Sequence, residues 1–217
     1  MLLVSVCPGG NLSNFAAQVA KGNTALSITL STSSTLLSSL STPFLFAFFA
    51  SQYAPAANLL NQIEIQFIQM LKLIMVLIAI PLVLGMLVNH FFPKIAQRLH
   101  KIMTLVSILF FGLFVVMALH QNSHHLFTWF TTIFYLVVIM NVAAYLLGFS
   151  ISKIFKLPLP ETKTITLETG IQNSGLGMIL VVNFFNGMGG MMLVAAFWGI
   201  WHIISSLTLA WFWKKQQ

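Results

Sequence analysis

The 217-residue sequence is 58% hydrophobic and 6% charged, with ten Lys and Arg, three acidic residues and a formal net charge of +7. A soluble domain is usually about 25% charged, and Glu64, Glu161 and Glu168 alone cannot hydrate a surface, so composition excludes a soluble globular fold. The basic excess lies in short connections beside apolar stretches of about 20 residues, the length that crosses a hydrocarbon core, so it reads as membrane topology rather than nucleic-acid binding.

In chain order, Met1–Val6 is a short apolar piece broken at Cys7–Gly10, and Asn11–Ala20 is a second short helix. Ala25–Ala50 is a Ser- and Thr-rich span containing Pro43; Ile65–Val88 follows, containing Lys72 and Pro81. Ile102–Leu119, Leu126–Ile151, a centrally polar Lys163–Phe185 and Met191–Trp213 complete the set. With the first two pieces taken as one broken span, the reading is an all-α integral membrane protein of seven spans.

Assigning alternate connections to alternate sides tests this reading. One side collects Lys21, Lys94, Arg98, Lys101, Lys153, Lys156, Lys163, Lys214 and Lys215. The Ser51–Glu64 loop, the Gln121–His125 loop and the Asn186–Gly190 turn on the other side contain no Lys or Arg. Basic loops stay cytoplasmic, so the C-terminus is expected inside, in a multi-pass protein of the cell inner (plasma) membrane. Lys72, within a span and less than three turns from Glu64, is expected to snorkel to the outer interface. Trp129, Trp198, Trp201, Trp211 and Trp213 are expected mostly at span ends, as aromatic belts.

Two segments carry the chemistry. In Cys7-Pro8-Gly9-Gly10-Asn11-Leu12-Ser13-Asn14, Pro followed by two Gly interrupts a helix, and Asn11 or Ser13 can cap its resumption; the plain alternative is an irregular N-terminal loop. In the run from Thr164 to Gly177, Glu168, Gln172, Asn173 and three glycines sit one to two turns inside a membrane segment. A carboxylate there needs a partner, and no Lys or Arg is well placed nearby in sequence. A bound cation would supply one, with unwound backbone carbonyls as further ligands; a neutral hydrogen-bonded carboxyl is the structural alternative. Ser27, Ser31, Ser34, Ser38 and Ser41 recur at three-to-four spacing and form one polar stripe, useful for close helix packing, for ligation, or for both. Two broken segments in one chain favour a secondary transporter over a channel, and no phosphate-binding GxxxxGK[ST] loop is present.

At these residues the sequence resembles the bile acid:sodium symporter family. The matching strings are CPGGNLSN, AKGNTALSITLSTSSTLL with STP, TITLETGIQNSGLG, and WH near the start of the last helix. The resemblance implies a ten-helix inverted-repeat carrier in which two discontinuous helices cross. This chain would correspond to helices 4–10: residues 1-51 to core helices 4 and 5, 63-119 to panel-type helices 6 and 7, and 124-217 to core-type helices 8 to 10. It further implies two sodium ions as coupling ions, with no other cofactor and no enzymatic chemistry. The first sodium site would use Ser13, Asn14, Ser27, Ser31 and Glu168. The second would use Glu168, the carbonyls of Thr169 and Ile171, and the Gln172 side chain. Asn11, Leu12, Asn173 and His202 would face an organic anion, a bile acid or a smaller carboxylate.

Some positions depart from the family pattern. Ser31 stands where Thr is more usual, and WHIISS replaces WHNISG, putting Ile203 and Ser206 in place of Asn and Gly. If Met1 opens helix 4, three helices are missing, including one that carries a glutamine-type ligand of the second sodium site. That site is then expected to be incomplete. A partner chain supplying those helices, or a non-transporting membrane remnant, is the competing expectation.

Overall fold

The computed structural model describes residues 1–54, 67–121 and 123–215, and the regular structure among them is helical. The elements are α1 (Leu2–Ser5), α2 (Leu12–Val19), α3 (Thr24–Ser51), α4 (Phe67–Ile74), a π-turn (Met75–Ala79), α5 (Ile80–Phe91), α6 (Pro93–Gln121), α7 (Ser123–Ile154), α8 (Leu159–Gly170), α9 (Ser174–Phe184) and α10 (Gly189–Lys215). Among the described residues, five segments are long and apolar enough to cross a bilayer: Thr24–Ser51, Leu71–Phe91, Pro93–Gln121, Thr128–Ile154 and Gly189–Lys215. The fold is therefore an all-α, multi-pass membrane architecture. The two stretches read from sequence as broken, Met1–Ala20 and Lys163–Phe185, are each built of two short helices: α1 with α2, and α8 with α9.

Prolines set several boundaries. Pro81 lacks an N–H and its ring crowds the carbonyl four residues back; the π-turn over Met75–Ala79 lies at that point and widens the helix around it. Phe92 (φ −135°, ψ 61°) separates α5 from α6, because the residue before Pro93 is driven out of the helical region. As a result α6 starts at Pro93, nine residues before the expected Ile102, and Lys94 and Arg98 lie on its first turns rather than in a connection. Lys153 likewise sits on the last turn of α7. Lys72 is exposed at the end of α4, while Glu64 and most of the loop before it lie outside the described residues.

The larger core cluster joins Leu3 and Val4 of α1 to Phe46, Ile74, Val115, Val137, Leu180 and Trp198. Trp198 has 0% exposure, so it fills this core instead of joining an aromatic belt; Trp129 and Trp211 are exposed as a belt requires. A second cluster packs Ala16 and Ala20 of α2 against Leu167, Ile171 and Ala210, small side chains letting the helices approach closely.

One end of the bundle is tied by polar contacts. Asn23 caps α3, accepting from Leu26 N at 3.0 Å, and donates from Nδ2 to Glu161 Oε1 at 3.1 Å. Its backbone N–H donates to Pro160 O at 3.3 Å, and its carbonyl accepts from Thr164 Oγ1 at 3.2 Å. Lys163, expected among the solvated basic residues, is wholly buried. Its ammonium donates to Ala20 O at 3.0 Å and Trp213 O at 3.4 Å, so it satisfies carbonyls at the C-terminal ends of α2 and α10. The α2–α3 turn, the start of α8 and the end of α10 are thus fixed together, and this sets the register of α3 against α8.

Candidate cation site at two crossed helix breaks

The two breaks meet. Gly9 and Gln172 form an antiparallel bridge, with Gly10 N donating to Ile171 O at 3.3 Å and Asn173 N to Pro8 O at 2.8 Å. Each interrupted helix thereby satisfies backbone groups that its own break exposes, which hydrocarbon demands. Thr42 of α3 adds a third tie, donating from Oγ1 to Val6 O at 2.7 Å. The helix ends gathered here are the C-termini of α1 and α8 and the N-termini of α2 and α9. The former favour cations and the latter anions.

Glu168 sits beside the crossing, one turn past the Thr164–Asn23 contact, and Ser27 sits one turn past Asn23 on α3. Ser27 Oγ donates to Glu168 Oε2 at 3.0 Å; Ser31 Oγ, a further turn along, donates to Glu168 Oε1. The carboxylate is therefore held by serine hydroxyls and not by a lysine or arginine. Ser13 Oγ lies 3.1 Å from Ser31 Oγ, and Asn14 Oδ1 lies 3.4 Å from it. Ser13 is already committed as donor to Gly10 O at 2.8 Å. Ser13 Oγ, Asn14 Oδ1 and Glu168 Oε1 consequently compete for the single proton of Ser31. The cluster holds more oxygen lone pairs than protons, an arrangement suited to a hard cation. Ser13 and Ser27 have 0% exposure and Ser31 has 4%, while Asn14 and Glu168 are half-buried.

The missing side chain at Gly9 gives the carboxylate its place. A Cβ there would lie 2.8 Å from Glu168 Oε1, closer than real Cβ contacts come, so any side chain at residue 9 would displace the carboxylate.

The other expected ligands scatter around this centre. Gln172 Oε1 is buried and has no hydrogen-bond partner. The Ile171 carbonyl already accepts from Gly10 N, and the Thr169 hydroxyl donates to Ile165 O at 2.8 Å. Asn173 caps α9, accepting from Leu176 N at 3.0 Å. Neither Asn11 nor Ser13 caps α2 with its side chain, because Ser13 turns to Gly10 O and Ser31. Asn11 is exposed and Leu12 half-buried. His202 is buried, with Nδ1 unpartnered. A cavity of about 460 Å³ is lined by Asn173 and Gly175 at the start of α9 and by Leu77, Phe110, Phe114 and Ile179, among others. Of the four residues expected to face an anion, Asn173 alone lines it. Within the serine stripe, Ser27 and Ser31 reach the carboxylate; Ser34 and Ser38 donate back to carbonyls of α3 itself.

Sequence reading gave no weight to Asn141, Tyr145 or Ser205. Asn141 Nδ2 donates to Gly170 O at 2.8 Å, Ser205 Oγ donates to Asn141 Oδ1 at 2.7 Å, and Tyr145 Oη lies 3.1 Å from Ser205 Oγ. The available signal was an Asn and a Tyr four residues apart in the apolar stretch from Leu136 to Phe149.

The profile of the Sodium Bile acid symporter family matches residues 1–129. The chain is 35% identical over 217 residues to the uncharacterized sodium-dependent transporter YocS of Bacillus subtilis, covering 100% of this chain and 64% of YocS. It is 34% identical over 187 residues to the probable chloroplastic sodium/metabolite cotransporter BASS2 of rice, covering 85% of this chain and 42% of that protein. It is 28% identical over 185 residues to the human ileal sodium/bile acid cotransporter, covering 83% of this chain and 50% of that protein. The chain thus spans less than two thirds of the length of each of these relatives. With more than half of its residues matching the family profile, the chain belongs to the Sodium Bile acid symporter family.

Proposed function

We propose that this chain serves sodium-coupled symport of an organic anion across the cytoplasmic membrane. The observation that carries the proposal is the proton-poor oxygen cluster around Glu168, set against the paired breaks. Sodium binds Ser13, Asn14, Ser27, Ser31 and Glu168, neutralising the carboxylate. A second ion uses Glu168, the carbonyls of Thr169 and Ile171, and Gln172, whose buried, unpartnered Oε1 supports the assignment. The anion lies near the helix starts at Asn11, Leu12 and Asn173, with His202 nearby. Its apolar body is accommodated by the cavity beside α9, where a helix N-terminus favours a carboxylate.

In this reading residues 1-51 and 124-217 form a core and 63-119 a panel, together corresponding to helices 4–10 of a ten-helix inverted repeat with seven crossings. Relative movement of core and panel exposes the anion alternately to each side, driven by the sodium gradient. The C-terminus is cytoplasmic. A second reading is a non-transporting membrane remnant, or a subunit that needs a partner chain.

The test is uptake of a labelled bile acid and of a short keto acid into proteoliposomes under an imposed sodium or potassium gradient. Sodium-specific uptake by the wild type, abolished in Glu168→Ala, is expected. Sodium-dependent uptake retained in Glu168→Ala would overturn the assignment of Glu168. Uptake that requires a co-expressed partner would favour the second reading.

A further inference from the structure

The second break is held by a side chain as well as by the first break. Asn141 of α7 has 0% exposure, and its Nδ2 donates to the carbonyl of Gly170, the last residue of α8, at 2.8 Å. The N–H of the same peptide unit, on Ile171, donates to Leu167 O at 3.0 Å. Both ends of the peptide joining Gly170 to Ile171 are therefore fixed, and this peptide directs the chain out of α8 into the bridge. Glu168 lies two residues before Gly170 and Gln172 two after it.

Asn141 is itself held. Ser205 of α10 donates to its Oδ1 at 2.7 Å, and Tyr145 Oη closes the group on Ser205 at 3.1 Å. The Tyr145 ring occupies the space above Gly170 so closely that a Cβ there would lie 2.0 Å from ring Cε1. The main chain of α8 is thus pressed against α7 on one side of the break while the first break pairs with it on the other.

We infer that Asn141, braced by Ser205 and Tyr145, is a positioning residue for the cation site: by holding Gly170 O it fixes the peptide run that carries Glu168 and Gln172 at the bridge. It touches no ion. The inference rests on the proposed sodium site, because positioning has meaning only if that site binds sodium. The amide meets both partners through separate atoms, donating from Nδ2 to Gly170 O and accepting at Oδ1 from Ser205.

The experiment measures thermal unfolding of the detergent-solubilised full chain against sodium concentration, with potassium holding ionic strength constant. The variants are Asn141→Leu, Ser205→Ala and Ser152→Ala. Ser152 is a control: it is buried on α7, and its Oγ donates to Gly148 O at 2.8 Å, within α7 itself and not to the peptide at the break. Asn141→Leu should raise the half-saturating sodium concentration about tenfold, as expected for one lost hydrogen bond. Ser205→Ala should raise it less, and Ser152→Ala should leave it unchanged even where it lowers the sodium-free midpoint. A half-saturating concentration in Asn141→Leu within twofold of the wild type, or an equal shift in Ser152→Ala, overturns the inference. If Asn141→Leu fails to fold, Ser205→Ala decides, and an unchanged value there overturns it. A wild type that responds identically to sodium and potassium instead overturns the sodium site itself, and the inference with it.

Discussion

Gly9→Ala is the sharpest probe of the site because it adds one carbon and no charge. The new Cβ would sit 2.8 Å from Glu168 Oε1 and 3.6 Å from both Glu168 Cδ and Ser34 Oγ. Gly9 does not have a positive φ, so alanine is not strained by the backbone itself. Nor can the backbone retreat, because Pro8 O and Gly10 N are both tied to the second break. The carboxylate must give way by about 0.6 Å to reach ordinary contact, starting from that 2.8 Å approach. Oε1 is the oxygen that accepts from Ser31, so its displacement disturbs that hydrogen bond. A hydrogen bond to a charged group contributes about 1.5–3 kcal/mol, so sodium affinity should fall about 10- to 100-fold at 1.4 kcal/mol per decade. The assay is the sodium dependence of thermal unfolding or of anion uptake. Gly112→Ala, where a Cβ meets nothing within 4 Å, should leave it unchanged. Sodium affinity in Gly9→Ala equal to the wild type would show that Glu168 does not bind the ion in this geometry.

Other substitutions test separate parts of the architecture. Ser31→Thr keeps the hydroxyl and should retain sodium-dependent uptake, whereas Ser31→Val removes the donor to Glu168 and should abolish it; equal uptake by the two would refute a role for the hydroxyl. Lys163→Met should destabilise the folded chain by about 1–3 kcal/mol, because the carbonyls of Ala20 and Trp213 lose a charged donor; a raised unfolding midpoint would show that burying the ammonium costs more than its bonds return. Cys7 is the only cysteine in the sequence and is buried, so a cysteine placed at Lys215 can be labelled selectively. A membrane-impermeant maleimide should reach it from the cytoplasmic side, and labelling from outside in intact cells would invert the topology.

Membrane residence was legible from composition, because hydrocarbon selects side chains at every position of a span and so writes its signal over about 20 residues. The breaks at CPGG and around Glu168 were legible for a local reason: proline and glycine disrupt a helix whatever surrounds them. The helix extents were less so. Lys94, Arg98 and Lys153 read as loop residues because they are charged, yet a helix continues past the hydrocarbon edge, its backbone satisfied within the helix and its long side chains reaching water. Trp198 and Lys163 were misplaced for the same kind of reason. A tryptophan or a lysine near a span end has the same sequence signature whether it faces the interface or is packed under neighbouring helices.

By itself, then, the sequence determined an all-helical membrane chain, two interruptions in it, and a set of oxygen-bearing residues without cationic partners. Only the tertiary structure decided that the interruptions pair with each other, that Ser27 and Ser31 reach Glu168 from 141 and 137 residues away, and that Asn141 holds the end of α8. The physical reason lies in the range of the forces. Helix formation and helix breaking are settled within a few residues by backbone sterics and hydrogen bonding. The register of α3 against α8 is set by contacts such as Asn23 with Thr164 and Lys163 with Ala20, which exist only once the helices have packed.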